Sequence, residues 1–197
     1  MKTAIVVLGV LLAATDSYAQ QPAPSDCQSA VDTFLSSPDE AKLLALDKSA
    51  CSALKLNENL NRLNRFVEVG NRWAAQYSAE HVKELDGGNL EDALIALGQF
   101  SNHNMTRLLL LAKNRLLSER ELSDTLTMLP LSLSDNPDAQ LKVLNQRRSK
   151  VVGVTRKDLM QQRREALAAI DAFASEIRAN RRRLVVEKSR FHSKSFP

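Results

Sequence analysis

The chain has 197 residues, of which 44% are hydrophobic and 25% charged, and its formal net charge is +4. Glycine and proline number six each and aromatic residues make up 5%. So few turn formers and aromatics exclude a sheet-built fold, and the abundant Leu and Ala favour helix. The length fits one domain, or one domain with an extension, and is enough to bury a core.

Met1-Lys2 is a short positive start, followed by an unbroken apolar run over residues 4–14 and by Ser17-Tyr18-Ala19. This order predicts a secretory signal over residues 1–19, cleaved after Ala19. The run falls short of the roughly 20 apolar residues of a spanning helix. No other segment is apolar enough to span a bilayer, and no cysteine stands at the cleavage point to carry a lipid. Residues 20–25 read as a flexible leader. The mature chain is therefore expected in the periplasm or outside the cell. There Cys27 and Cys51 are expected to form an intramolecular disulfide, with two free thiols or an intermolecular link as the alternatives. The spacing is not the Cys-x-x-Cys of a redox enzyme.

Residues 26–129 read as an N-terminal helical bundle. Its first part, 26–46, is a short helical hairpin with Val31, Phe34 and Leu35 on one face. Ser37 is the expected cap of the second helix and Pro38 its first residue. Over residues 52–85 the positions Leu56, Leu60, Leu63, Val67, Gly70, Ala74, Tyr77 and His81 step by four and three. This heptad rhythm predicts one long helix, with Gly70 and Ala74 as small seam residues. Asp86-Gly87-Gly88-Asn89 ends it, and Asn89 with Asp92 predicts a capping box for the next helix. That helix, 90–117, carries a polar island at residues 101–104 and is expected to run through it, with a break at Gly98 and the island as the alternative. Ser118 caps a further helix, with Glu119 and Glu121 in its first turn.

Residues 130–137 (PLSLSDNP) form the clearest linker. Residues 138–190 read as basic C-terminal helices, split at Gly153, with Thr155 and Asp158 as a second capping box. From its cap at Thr155 to about Glu187 the last helix is expected to be about 50 Å long. It is expected to pair antiparallel with the 52–85 helix as a coiled-coil-like hairpin. Residues 191–197 read as a disordered tail.

Charge is divided along the chain. Residues 20–141 hold 11 basic and 17 acidic side chains, a net of −6, and residues 142–197 hold 15 and 5, a net of +10. The densest basic run comprises Arg178, Arg181, Arg182, Arg183, Lys188 and Arg190, which make a candidate binding surface for an acidic partner or another anion. The plainer reading is a solvated face attracted to the acidic half of the same chain. Export and the lack of interleaved aromatics argue against nucleic acid. An acidic protein or an anionic lipid surface fits the compartment better.

Catalytic motifs are absent: there is no Gly-x-Ser-x-Gly, Walker loop or His-Glu-x-x-His, and no cofactor is expected. His81 and Glu84 lie one helical turn apart, and His103 in the polar island could complete a metal site with them. The Glu-x-x-His order of bundle metal centres is reversed here and has no second copy, so no metal is expected. The sequence thus predicts an elongated all-α bundle with two long antiparallel helices, and a non-catalytic interaction protein. The role expected is an adaptor or accessory subunit of an envelope assembly, such as a secretion or conjugation apparatus, with a protein partner or a second copy bound. A helical chaperone for unfolded clients is the alternative, and a metal-binding bundle ranks below both.

Overall fold

The computed structural model describes residues 24–49 and 57–193. The expected signal peptide, most of the leader, Cys51 and residues 194–197 lie outside the described residues. The described chain is all-α, with eight α-helices: α1 (Pro24–Ser36), α2 (Glu40–Lys48), α3 (Asn57–Glu68), α4 (Arg72–His81), α5 (Gly87–Lys113), α6 (Glu119–Thr127), α7 (Pro137–Val152) and α8 (Met160–Ser193). Short 3-10 turns at Val82–Glu84, Leu131–Leu133 and Lys157–Leu159 join them. Helix α5 is the central element and packs on α3, α4, α6, α7 and α8. One contiguous apolar cluster runs from Val31 and Phe34 through Leu97, Phe100 and Leu108 to Leu144, Leu159 and Ile170. Each large side chain so buried stabilises the fold by about 1.5–3 kcal/mol.

The expected long helix over 52–85 is corrected. Gly70 takes φ +90°, its amide donates to Val67 O, and the Asn71 amide donates to Phe66 O, both at 2.9 Å. This is the Schellman arrangement that ends a helix, here α3. The Asn71 Oδ1 then accepts the Trp73 and Ala74 amides at 3.0 Å and starts α4. A side chain at residue 70 would also meet His103, whose Cβ is 2.9 Å from the position a Gly70 Cβ would occupy. The heptad spacing is real, since Leu60, Leu63, Val67, Ala74 and Tyr77 are all buried. It is distributed over two helices joined by a left-handed residue.

The pairing of the last helix is corrected with it. Helix α8 packs mainly on α6 and α7. Three polar contacts fix its direction along α7: the Arg163 guanidinium donates to Val152 O, the Arg148 guanidinium to the Asp171 carboxylate, and the Arg181 guanidinium to the Asp138 carboxylate. The antiparallel partner of α8 is therefore α7, and α8 remains helical to Ser193, past the expected end near Glu187 and into the stretch expected to be disordered.

Local capping follows the sequence in part. Ser118 and Glu121 form a complete capping box on α6. Asp39, not Ser37, caps α2: its Oδ1 accepts the Lys42 amide at 2.9 Å, and Pro38 stays outside the helix with its carbonyl accepting from Asn71 Nδ2. Helix α5 begins at Gly87, with Asp86 as its cap residue, ahead of the expected Asn89. The Thr155–Asp158 box does not form, because the Asp158 carboxylate accepts from Arg156 and Lys113 instead. Helix α5 runs through the polar island with a kink at Asn104 (φ −148°, ψ 72°). The Asn104 Oδ1 accepts the Arg107 amide at 3.0 Å and restarts the helix from inside.

Gly98 is a point of close approach. A Cβ there would lie 2.5 Å from Thr125 O and 2.6 Å from Arg147 Nη2. Arg147, on α7, is only 1% exposed. Its Nη1 donates to the carbonyls of Thr125, Leu126 and Met128 at 3.3, 2.8 and 3.1 Å. These carbonyls end α6, whose negative pole the guanidinium covers. Burial lowers the Arg147 pKa to about 10, which leaves it charged at neutral pH.

Candidate functional site

The predicted anion-binding run lies on the C-terminal half of α8. Ile177 is buried, whereas Arg178, Ala179, Asn180 and Arg181 are exposed. Because Arg181 meets Asp138 at 2.6 Å and α7 starts at Pro137, residues 182–193 continue past the start of α7. At 1.5 Å per residue this overhang is about 18 Å long. The side chains of Arg182, Arg183, Lys188 and Arg190 lie outside the described residues, so their positions along the helix follow from the backbone alone. Among the described residues, Arg181–Asp138 is the one ion pair in which a basic side chain of 142–197 meets a carboxylate of 20–141. Among the described residues the opposed charges of the two regions are thus little used against each other.

Of the predicted disulfide, Cys27 lies half-buried in α1 against the core, and Cys51 lies outside the described residues. Tyr77 is fully buried against Phe34, with ring centroids 5.3 Å apart. Trp73 is half-buried with the Arg72 guanidinium 4.4 Å over its ring. Both are packing contacts.

A cleft of about 790 Å³ opens between the end of α5, the start of α6 and the start of α8. Its walls mix charges: Glu80, Lys83, Lys113, Arg115, Glu119, Asp158 and Glu165. The backbone at its edge is strained, since Arg115 takes φ +63° where glycine would be at ease. The Leu116 amide donates to Leu111 O and the Arg115 amide to Ala112 O, which closes α5 with a second Schellman arrangement. Ser118 in this cleft accepts the Glu121 amide at 3.2 Å. Asp158 carries two cationic neighbours, Arg156 and Lys113, which hold its carboxyl well below the usual carboxylate range.

The histidines separate. His103 packs against Gly70, away from the set that gathers round His81, whose Nδ1 lies 2.8 Å from Glu84 Oε1. His81 also lies on the Tyr77 ring, with centroids 4.4 Å apart. Asp47, Glu80 and His81 each bring one potential ligand atom to within 4.8 Å of the other two. The sequence singled out His81 and Glu84 but missed Asp47 and Glu80. Glu80 adjoins His81 and could have been noticed, whereas Asp47 arrives only through the packing of α2 on α4.

No known protein family, curated protein or solved structure matches the chain.

Proposed function

We propose that the chain is an exported, non-catalytic interaction protein, an adaptor or accessory subunit of an envelope assembly such as a secretion or conjugation apparatus. In this reading the C-terminal half of α8 docks on an acidic protein partner. The observation that carries it is the overhang: α8 outruns its partner helix by about three turns, in the segment where the sequence concentrates arginine, while the described basic side chains find one carboxylate in the acidic region. Complementary potentials of this kind steer association and select partners. Export rests on the signal-like residues 1–19, and Cys27 is proposed to pair with Cys51 after export. Intact mass of the secreted chain, before and after reduction, reads both at once.

The test of docking is photocrosslinking in the native cell with the probe at Asn180. One discrete product that disappears in the folded triple variant Arg181→Glu, Arg182→Glu, Arg183→Glu supports the reading. A discrete product indifferent to that variant places the docking site elsewhere. A smear of many products indicates a client-binding chaperone, and vesicle binding without any product indicates a lipid surface.

A further inference from the structure

Helix α2 packs on α4, which passes directly into the 3-10 turn Val82–Glu84, and the C-terminal turn of a helix carries a partial negative charge. A carboxylate in the last turn of a helix is disfavoured by that charge. The chain nevertheless places Asp47 in the last turn of α2 and Glu80 in the last turn of α4. Among the described residues neither has an ion-pair partner; Glu80 accepts one hydrogen bond, from Gln76 Nε2 at 2.9 Å. Two like charges within 4.8 Å of each other and without an ion-pair partner form a local conflict, and such conflicts are tolerated where a site needs them.

His81 supplies the element that a merely acidic cluster lacks. Its ring is held on two sides, by Glu84 at Nδ1 and by the Tyr77 ring, and Tyr77 is itself locked in the core against Phe34. A carboxylate on one ring nitrogen fixes the tautomer and directs the other nitrogen outward, as at metal-bound histidines generally.

We propose that Asp47, Glu80 and His81 bind a divalent transition-metal cation, zinc in preference to magnesium or calcium, with Glu84 orienting the imidazole. Ligand atoms already within 4.8 Å of one another need only side-chain rotation to reach zinc bonds of about 2.0–2.2 Å. The imidazole selects against magnesium and calcium, which prefer all-oxygen shells. Three protein ligands leave a fourth position open, and Glu80 also lines the mixed-charge cleft. The sign of the site suits a cation: three carboxylates gather round one imidazole, with Lys48 and Lys83 near in sequence but exposed and paired with none of these acids.

The test is zinc titration of the purified full chain after chelator treatment, with metal content read by mass spectrometry and fold by circular dichroism. One zinc per chain is expected, retained in excess magnesium. Asp47→Asn, which alters an exposed side chain, and His81→Ala are each expected to weaken binding at least tenfold, and Glu84→Gln about tenfold. Absence of stoichiometric zinc, or an affinity unchanged in either Asp47→Asn or His81→Ala, overturns the assignment.

Discussion

Two glycines of α5 should respond in opposite ways to the same substitution. Gly88 sits in the first turn with nothing within 4 Å of where a Cβ would stand. Gly88→Ala therefore only removes backbone freedom from the unfolded chain and should stabilise by about 0.5–1 kcal/mol. At Gly98 the new methyl would meet Thr125 O at 2.5 Å and Arg147 Nη2 at 2.6 Å. The first obstacle is a backbone carbonyl at the end of α6, and the second is a guanidinium already held by three carbonyls. Neither can step aside without opening the α5–α6 contact. Overpacking of this severity costs up to about 3 kcal/mol, offset by roughly 1 kcal/mol of helix propensity, for a net loss of about 2 kcal/mol. For a chain of this size that lowers Tm by about 4–8 °C. Thermal unfolding followed by circular dichroism at 222 nm, on both variants and the parent, reads the difference directly. A Gly98→Ala variant as stable as Gly88→Ala would refute the packing described for α5, α6 and Arg147.

Arg147→Met keeps most of the side-chain volume but leaves the last carbonyls of α6 without their donor, and should destabilise by about 2 kcal/mol; a Tm at or above the parent's would show that the buried charge costs more than its hydrogen bonds return. Asp158 has a folded pKa depressed by Arg156 and Lys113, so its contribution is present above the unfolded value of about 3.9 and is lost as pH falls through the folded one. The Tm difference between the parent and Asp158→Asn should thus hold from pH 7 to pH 5 and close only below about pH 4, and a difference that closes between pH 7 and pH 5 would contradict the assigned cluster.

Much of the fold was legible because periodicity reports which face is buried. Val31, Phe34 and Leu35 read as one apolar face and Leu60, Leu63, Val67 and Tyr77 as the seam, and all are buried. What failed was continuity. Gly70 reads as a small seam position within one helix, although glycine followed by asparagine is also a helix stop followed by a helix start. The heptad count was indifferent to that choice, because Leu60, Leu63 and Val67 before the turn and Ala74 and Tyr77 after it are all buried. Partner choice was illegible for a related reason: the apolar face of α8 shows that something covers it, not whether α3 or α7 does. The contacts that settle it are polar and long-range, Arg148–Asp171 and Arg181–Asp138, and single charges carry no periodic signal. The His81 cluster was half legible on α4, with Asp47 delivered by tertiary packing from 34 residues upstream of His81.

The joint at Arg147 links this architecture to the proposed role. Helix α7 is set on α5 and α6 by a guanidinium that must satisfy three carbonyls and fit beside Gly98, a demand of angle as well as distance. Helix α8 takes its direction from α7 through the ion pairs along their length. The aim of the basic overhang is therefore fixed by a buried polar contact far along the chain from the overhang itself. Charge reversal at Arg182 and Arg183, which spares the Arg181–Asp138 ion pair, lowers the proposed docking potential and leaves that aim intact. Arg147→Met leaves the potential intact and loosens the aim. If docking requires only charge, the second variant should crosslink as well as the parent under conditions where it is fully folded; if it requires a placed helix, the yield should fall with the arginines all present.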